Sequence, residues 1–279
     1  MSKQIVVSRT LRTIAGGAKG RLSLCDDGIH YVINCPNNPR GPNVLANEFI
    51  GSVLLHALDL PTAQWRPVRY PSTLRCVFEF DGRSRLHDSK CDLHFASELL
   101  RPSFEGRLYS YLPSSFVQRI ENRRDFLGAL VFDIWAGSTD IRRATYVEDY
   151  TKRTFKAVFI DNGHLFGGEN WEFTLRPGVA ICLERNLYAD LIDSVTIDAW
   201  ITRIETIIPQ MLPSLLNSVP TQWYNGDIAR LQDTLHYRAE SLRSLFWEEI
   251  RNLKEPFSRS LRGIYGSAFD AQILRGGAK

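Results

Sequence analysis

Two aspartates, Asp140 and Asp161, each follow an apolar run that has the pattern of a buried segment. The run FLGALVFDIW and a turn of small residues precede Asp140, and AVFI precedes Asp161 directly. Between them, the strand patterns ATYVEDY and FKAVFID are joined by the short turn TKR. Because a hairpin brings its two ends close together, we expect both carboxylates to face one cleft.

Phosphoryl transfer is a reaction that uses two carboxylates in one cleft. One carboxylate orients or deprotonates the acceptor hydroxyl, and the other holds Mg²⁺ on the phosphates. Asp161, Asn162 and Gly163 have the form of the D-x-G metal loop of protein kinases. The alternative is that both aspartates only cap the backbone of turns, which is a common use of this residue.

The first part of the chain carries features that suit the same chemistry. Glu48 lies on the apolar face of a helical pattern that includes Val44 and Leu45 and ends before Pro61. A carboxylate there needs a partner, since an unpaired glutamate is rarely buried. In kinases, the corresponding helix glutamate holds a phosphate-binding lysine. The turn containing Gly16 and Gly17 would let backbone approach phosphates.

The order of the patterns predicts an α+β, protein-kinase-like bilobal fold. Alternation and D-G turns make the beginning of the chain rich in strands, whereas helical periodicity dominates the later part. We expect a small β-rich N-lobe over residues 1–92, with the glycine loop and the Glu48 helix. A larger helical C-lobe over residues 93–279 would carry the catalytic and metal loops. Asp125 is a candidate N-cap, and one long amphipathic helix is expected over IARLQDTLHYRAESLRSLFWEEIRNL.

Composition limits the possible settings and partners. The 279 residues are 44% hydrophobic and 23% charged, with a net charge of +3. No apolar run of about 18 residues and no signal-peptide pattern is present, so we expect no membrane contact. Five scattered cysteines favour a reducing cytosol, and hence a cytoplasmic location. A nearly neutral charge does not require nucleic acid as a direct partner.

Several longer sequence segments give the chain a resemblance to a known family. They are TIAGGAKG, HYVINCPNNPRGPNVLANEFIGSVLLHALDLP, LHFAS, FLGALVFDIWAGSTDIR, AVFIDNGHLFGGENWEF and VPTQWYNGD. Together they resemble the HipA-like kinases, in particular the short stand-alone bacterial branch, over roughly residues 10–230. The resemblance implies a kinase-like fold that uses ATP and Mg²⁺, with a protein or a small molecule as the hydroxyl acceptor. It also raises a DNA-binding antitoxin as a partner. This chain has no helix-turn-helix signature of its own, so we expect any DNA contact to be made through such a partner.

The resemblance assigns roles to individual residues. Asp140 would match the catalytic aspartate, Asp161 the metal-binding aspartate and Glu48 the helix glutamate. The phosphate loop would consist of Gly16, Gly17, Ala18 and Lys19.

Three positions depart from the family pattern. Asn34 stands where the family usually has a nucleotide-binding lysine, Arg143 where it has a small amide residue, and Ser138 where it often has asparagine. A guanidinium has no acceptor atom for a metal. Two hypotheses follow. The enzyme is active, with Lys19 or Arg21 replacing the lost charge and Arg143 neutralising phosphate; or the chain is a pseudokinase, a binding scaffold without catalysis.

A zinc site is a further possibility near the expected lobe boundary. Cys76, His87, Cys91 and His94 lie close together in the sequence. Their spacing, however, lacks the C-x₂₋₄-C pair of ordinary structural zinc sites.

Overall fold

The structure is a computed structural model, and it describes residues 4–14, 20–34, 41, 43–71, 74, 77–80, 83–86, 93–102, 105–173, 187–188, 191 and 193–252. The strands are β1 Ile5–Thr13, β2 Arg21–Cys25, β3 His30–Asn34, β4 Trp65–Arg69, β5 Val77–Phe80, β6 Arg83–Leu86, β7 Leu93–Glu98, β8 Leu108–Tyr109, β9 Arg143–Asp149 and β10 Thr154–Ile160. The α-helices are α1 Val44–Ala57, α2 Asp125–Ala136, α3 Ser194–Asn217, α4 Ile228–Glu240 and α5 Leu242–Asn252.

The first part of the chain forms a closed barrel with the strand order β1-β2-β3-β7-β4. Neighbouring strands are antiparallel except β1 and β4, which run parallel. A small apolar core fills the barrel, as alternation along each strand requires. Its members are Val7, Cys25, Tyr31, Ile33, Val68, Tyr70 and Ala96.

The pairing of β7 bears on the division into lobes. β7 begins at Leu93 but hydrogen-bonds with β3 and β4, so it completes the barrel. The division between residues 92 and 93 stays a prediction, and this pairing argues for placing it after Glu98.

Helix α1 joins the barrel to the rest of the molecule. It ends at Ala57, before Pro61, as the sequence predicts. Most of its residues are buried, since one side faces the barrel and other sides meet later elements. Glu48 is buried among them with only 6% of its surface exposed, so it requires polar partners inside the protein.

The second part of the chain packs helices around α2, which is buried over almost its whole length. The prediction that Asp125 is its N-cap is wrong. Asp125 is the first helical residue, and its Oδ2 accepts a hydrogen bond of 2.9 Å from Asn122 Nδ2. The helix ends at Ala136 and is followed by Gly137, whose φ of 63° is the left-handed conformation typical of a glycine after a helix.

The late helices differ in one respect from the expected pattern. The single long helix expected over this region is two helices, α4 and α5, with a break at Ser241. Ser241 still donates its backbone N–H to Tyr237 O, so α5 resumes at once. The buried residues Leu231, Leu235, Leu242 and Phe246 continue the apolar stripe, which explains why the sequence resembles one helix. Among the described residues, no helix combines the length and the apolar character needed to cross a membrane.

Candidate functional site

The hairpin of β9 and β10 positions the two aspartates. The strands pair antiparallel with Arg143 opposite Ile160, so the residue entering β9 and the residue leaving β10 lie at the same end. Asp140 is in the loop between α2 and β9, and Asp161 directly follows β10. This is the arrangement that the two strand patterns and the TKR turn predict.

Arg143 lies between the two carboxylates. Its Nη2 is 3.8 Å from Asp140 Oδ2, and its Nε is 3.5 Å from Asp161 Oδ2. The side chain of Arg143 is 49% exposed, against 34% for Asp140 and 24% for Asp161. Both distances exceed those of a well-formed charge-assisted hydrogen bond, so these ion pairs are loose.

The backbone around both aspartates is fixed by local hydrogen bonds. Ser138 Oγ donates to Asp140 O at 2.8 Å, and Thr139 N–H donates to His164 O at 2.9 Å. The second bond ties the loop that carries Asp140 to the loop that follows Asp161. Asp161 itself has φ of 63°, a left-handed conformation that Asp tolerates better than most residues.

A buried polar network lies directly beneath this pair of loops. Arg142 donates through Nε to Asp133 Oδ2 at 2.8 Å, and its Nη2 also contacts Asp133. Its Nη1 donates to Asn162 Oδ1 at 2.7 Å. Burial raises the pKa of the Asp133 carboxyl and the attraction of Arg142 opposes this. Asn162 Nδ2 also donates to Ser52 Oγ at 3.2 Å, so both polar atoms of this side chain form hydrogen bonds inside the protein.

Glu48 is held against the loop that carries Asp161. Its Oε2 accepts a hydrogen bond of 3.1 Å from Asn162 N–H. Gly163 is close as well, since a Cβ added there would lie 3.3 Å from Glu48 Oε1. Burial, followed by repulsion from Asp161, raises the pKa of Glu48 to about 8. Glu48 therefore contacts the proposed metal loop.

Asn47, the neighbour of Glu48, secures the continuation of the same loop. Its Nδ2 lies within hydrogen-bonding distance of the carbonyls of Gly163, Leu165 and Gly168, at 2.9, 2.9 and 3.1 Å. Its Oδ1 accepts from Trp171 Nε1 at 2.7 Å. Helix α1 thus fixes the loop after Asp161 through two consecutive polar residues.

The predicted nucleotide-binding residues are described only in part. Gly16, Gly17, Ala18 and Lys19 lie outside the described residues. Asn34 ends β3 beside Gly20, where an added Cβ would lie 3.1 Å from Asn34 Oδ1. Asn34 pairs with Phe95, whose ring packs against Trp223, so Asn34 is on the outer face of the barrel.

Arg21, proposed from sequence as a replacement charge, is placed differently. It pairs with Ile33, which points into the barrel core, and it is 6% exposed. Successive residues of a strand point to opposite faces, so Arg21 and Asn34 occupy opposite faces of the sheet. The hypothesis that Arg21 supplies the lost lysine charge from the opposite side stays a prediction, and the register places Arg21 on the face away from Asn34.

Sequence reasoning missed the residues that support the site. A signal was present for Asp133, because a lone carboxylate within the apolar run of α2 requires a buried partner. No comparable signal distinguishes Arg142 from Arg143, since strand alternation gives a face only after the register is known. Asn47 could be suspected only from its place next to Glu48 on a buried helix.

The carboxylate oxygens near Arg143 are of the kind that binds a hard divalent cation. Mg²⁺ commonly binds one or two carboxylates and completes its shell with water and substrate phosphate oxygens. Two partly exposed carboxylates already converge on one positive group, Arg143, so their geometry suits a shared cation. Within the described part of the chain, no group of three or more His, Cys, Asp or Glu side chains could hold a metal ion.

The zinc hypothesis gains no support from the described residues. His94 is buried in the barrel, with its ring 5.1 Å from that of Tyr70. Cys76, His87 and Cys91 lie outside the described residues.

Solved structures with a similar fold are kinases. The Helicobacter pylori proinflammatory kinase CtkA matches with a TM-score of 0.54 and 11% identity, over 90% of this chain and 100% of that chain. The Golgi casein kinase with Mn/ADP bound matches with a TM-score of 0.50 and 10% identity, over 88% of this chain and 73% of that chain. A second structure of the Golgi casein kinase gives 0.50 and 9%, over 91% and 73%.

No family model and no curated protein matches the sequence. At these identities the structural matches establish fold, and they agree with the barrel, the buried α1 and the helical second part. The chain therefore has an α+β, bilobal, kinase-like fold.

Proposed function

We propose that this chain is a HipA-like kinase that transfers a phosphoryl group from Mg²⁺-ATP to a hydroxyl acceptor, with an atypical nucleotide site. The observation that carries the proposal is the placement of Asp140 and Asp161 at one end of one hairpin, with the Arg143 cation between them. Asp140 Oδ1 also accepts a hydrogen bond of 2.8 Å from Ile141 N–H, but backbone capping alone does not require two carboxylates to converge on one positive group.

Each residue of the site has a proposed role. Asp140 orients the acceptor hydroxyl and takes its proton, since its carboxylate is more exposed than that of Asp161. Asp161 holds the metal. Glu48 positions Asp161 through the backbone of Asn162, which differs from the lysine-pairing role of the kinase helix glutamate. Bound Mg²⁺ would neutralise charge that develops on the transferred phosphoryl group.

The phosphate side of the site depends on Gly16, Gly17, Ala18 and Lys19. Lys19 is proposed to supply the charge that Asn34 lacks, and Asn34 to contribute at most a neutral hydrogen bond. Among the named neighbours, the Golgi casein kinase was solved with Mn/ADP bound. A nucleotide with a divalent metal is accordingly the ligand pair proposed for this chain.

A pseudokinase is the second candidate, and two observations favour it. Asn34 stands where the nucleotide lysine is expected, and the Arg143 guanidinium lies between Asp140 and the Asp161 carboxylate that would bind metal. Loss of one preorganised electrostatic contact commonly lowers a rate by about 10²- to 10³-fold. In this alternative the chain binds a nucleotide or a protein partner and transfers nothing.

The two candidates differ in the effect of Asp140→Asn on phosphate release from γ-labelled ATP. We expect the wild-type chain to label itself or release phosphate slowly without an added acceptor. We expect Asp140→Asn to lower that rate by about 10²-fold or more, the range for loss of a general base, while ATP affinity is retained. Equal rates for the two proteins would favour the pseudokinase.

A further inference from the structure

The neighbouring arginines Arg142 and Arg143 are held in very different ways. Arg142 is 4% exposed and is fixed by Asp133 on one side and the Asn162 amide on the other. Arg143 is half exposed, and its nearest carboxylate oxygens are 3.5 and 3.8 Å away. Exposed ion pairs of this kind contribute only about 0–1 kcal/mol, so Arg143 can leave its partners easily.

The position of Arg143 conflicts with metal binding at Asp161. A guanidinium 3.5 Å from Asp161 Oδ2 and 3.8 Å from Asp140 Oδ2 occupies the space and the negative charge that a divalent ion at Asp161 needs. Arg143 also repels that ion, because a guanidinium stays charged at every physiological pH. The buried Arg142 cannot take the place of Arg143 between these carboxylates, since its guanidinium already donates to Asp133 and Asn162.

A nucleotide offers Arg143 another partner. Phosphate oxygens match the planar fork of a guanidinium and often bind it through two hydrogen bonds. If Arg143 moves from Asp140 and Asp161 to a phosphate, its charge no longer opposes metal binding at Asp161 at the moment the phosphates arrive. The exposure of Arg143 and its loose contacts allow this movement without disturbing the Arg142 network.

We propose that Arg143 is a displaceable internal cation that competes with divalent metal for Asp161, beside Asp140, and moves to the phosphates when nucleotide binds. The inference rests on the proposed function, because it assumes that Asp161 binds metal. Metal alone then binds weakly, and nucleotide and metal increase one another's affinity. Thermodynamic linkage requires this effect to be equal in both directions.

The test is a titration of the 279-residue chain with Mn²⁺, in which the electron paramagnetic resonance signal measures free Mn²⁺. It is done with and without a non-hydrolysable ATP analogue. The variants are Arg143→Gln, which removes the charge, and Arg143→Lys, which keeps it. Arg230→Gln is the matched control, since it makes the same charge change at an exposed position on α4. Circular dichroism confirms that each variant is folded.

We expect Arg143→Gln to bind Mn²⁺ alone about 10-fold more tightly than wild type, within the usual range of coupling between two sites. The analogue should then raise Mn²⁺ affinity strongly in wild type and only weakly in Arg143→Gln. Arg143→Lys and Arg230→Gln should resemble wild type. Equal or weaker Mn²⁺ binding by Arg143→Gln would overturn the inference.

Asp161→Asn separates failure of the inference from failure of the proposed function. If Asp161→Asn loses Mn²⁺ binding while Arg143→Gln behaves as wild type, the metal site stands and Arg143 does not compete for it. If Asp161→Asn binds Mn²⁺ and the analogue as wild type does, the proposed site is wrong, and the inference is wrong with it.

Discussion

Arg142 and Arg143 differ in their surroundings far more than in their chemistry. Arg142 is part of the protein interior, bonded to Asp133 and Asn162, whereas Arg143 is half exposed between Asp140 and Asp161. A sequence that contains two consecutive arginines predicts a basic surface cluster. In the structure Arg142 supports the interior and Arg143 lies exposed between the two aspartates, a difference that the sequence alone does not show.

Glu48 provides a prediction about pH. Its folded pKa of about 8 lies above the ordinary value of 4.5, so the folded state binds the proton more tightly than the unfolded state. The free energy of unfolding should therefore fall as pH rises from about 4.5 to about 8, because the unfolded state loses a proton that folded Glu48 retains, and the fall should end once Glu48 is charged in both states. Asp161 disfavours that charge and Arg142 favours it.

Glu48→Gln should remove much of this pH dependence, because the amide stays neutral and its oxygen can still accept from Asn162 N–H. We expect the variant to gain stability relative to wild type as pH rises from about 6 to about 9, by an amount on the order of 1 kcal/mol or more. Urea denaturation at several pH values measures the effect. Parallel pH profiles for the two proteins would show that Glu48 is charged throughout.

At the scale of elements, α1 and the loop after β10 act as one unit. Gly51 allows their close contact, since an added Cβ would lie 2.6 Å from Leu165 Cδ1 and 2.8 Å from Asn162 Cβ. Elsewhere, Gly128 of α2 plays a similar role, because a Cβ there would lie 2.5 Å from the Trp200 ring. The first glycine supports the site and the second supports the helical core.

This pair of glycines gives a matched test. Gly51→Ala and Gly128→Ala should each lower the free energy of unfolding, because overpacking of about 1–3 kcal/mol exceeds the gain in helix propensity of about 1 kcal/mol. Only Gly51→Ala should also weaken ATP binding, by displacing the loop that carries Asp161. Denaturation and calorimetric titration measure the two effects. Equal ATP affinities for both variants would mean that the position of α1 does not control the loop.

The sequence predicted the helices and strands around the site better than the residues that hold them in place. The hairpin, α1 and its end before Pro61 follow from alternation, periodicity and turn residues. The break at Ser241 could not be predicted, because α4 and α5 share one apolar stripe. The bonds of Asn47 and Asn162 join residues more than 100 positions apart, and local patterns carry no information about such pairs.

At the scale of the whole molecule, the barrel and the helical part are joined by residues from segments that are far apart in the sequence. Trp223 donates through Nε1 to Leu93 O at 2.8 Å, and its ring packs on Phe49 and Phe95. Asn225 N–H donates to Asn43 Oδ1 at 2.8 Å. These contacts bring the late segment WYNGD against the early segment NVLANE, and both support α1.

Calorimetric titration of ATP into the protein, with and without Mg²⁺ and with Asp161→Asn beside wild type, tests the central claim most directly. The account predicts that ATP binds wild type in a Mg²⁺-dependent way and that Asp161→Asn loses this dependence. Absence of ATP binding by wild type at millimolar concentration, or Mg²⁺-dependent binding that is unchanged in Asp161→Asn, would contradict it.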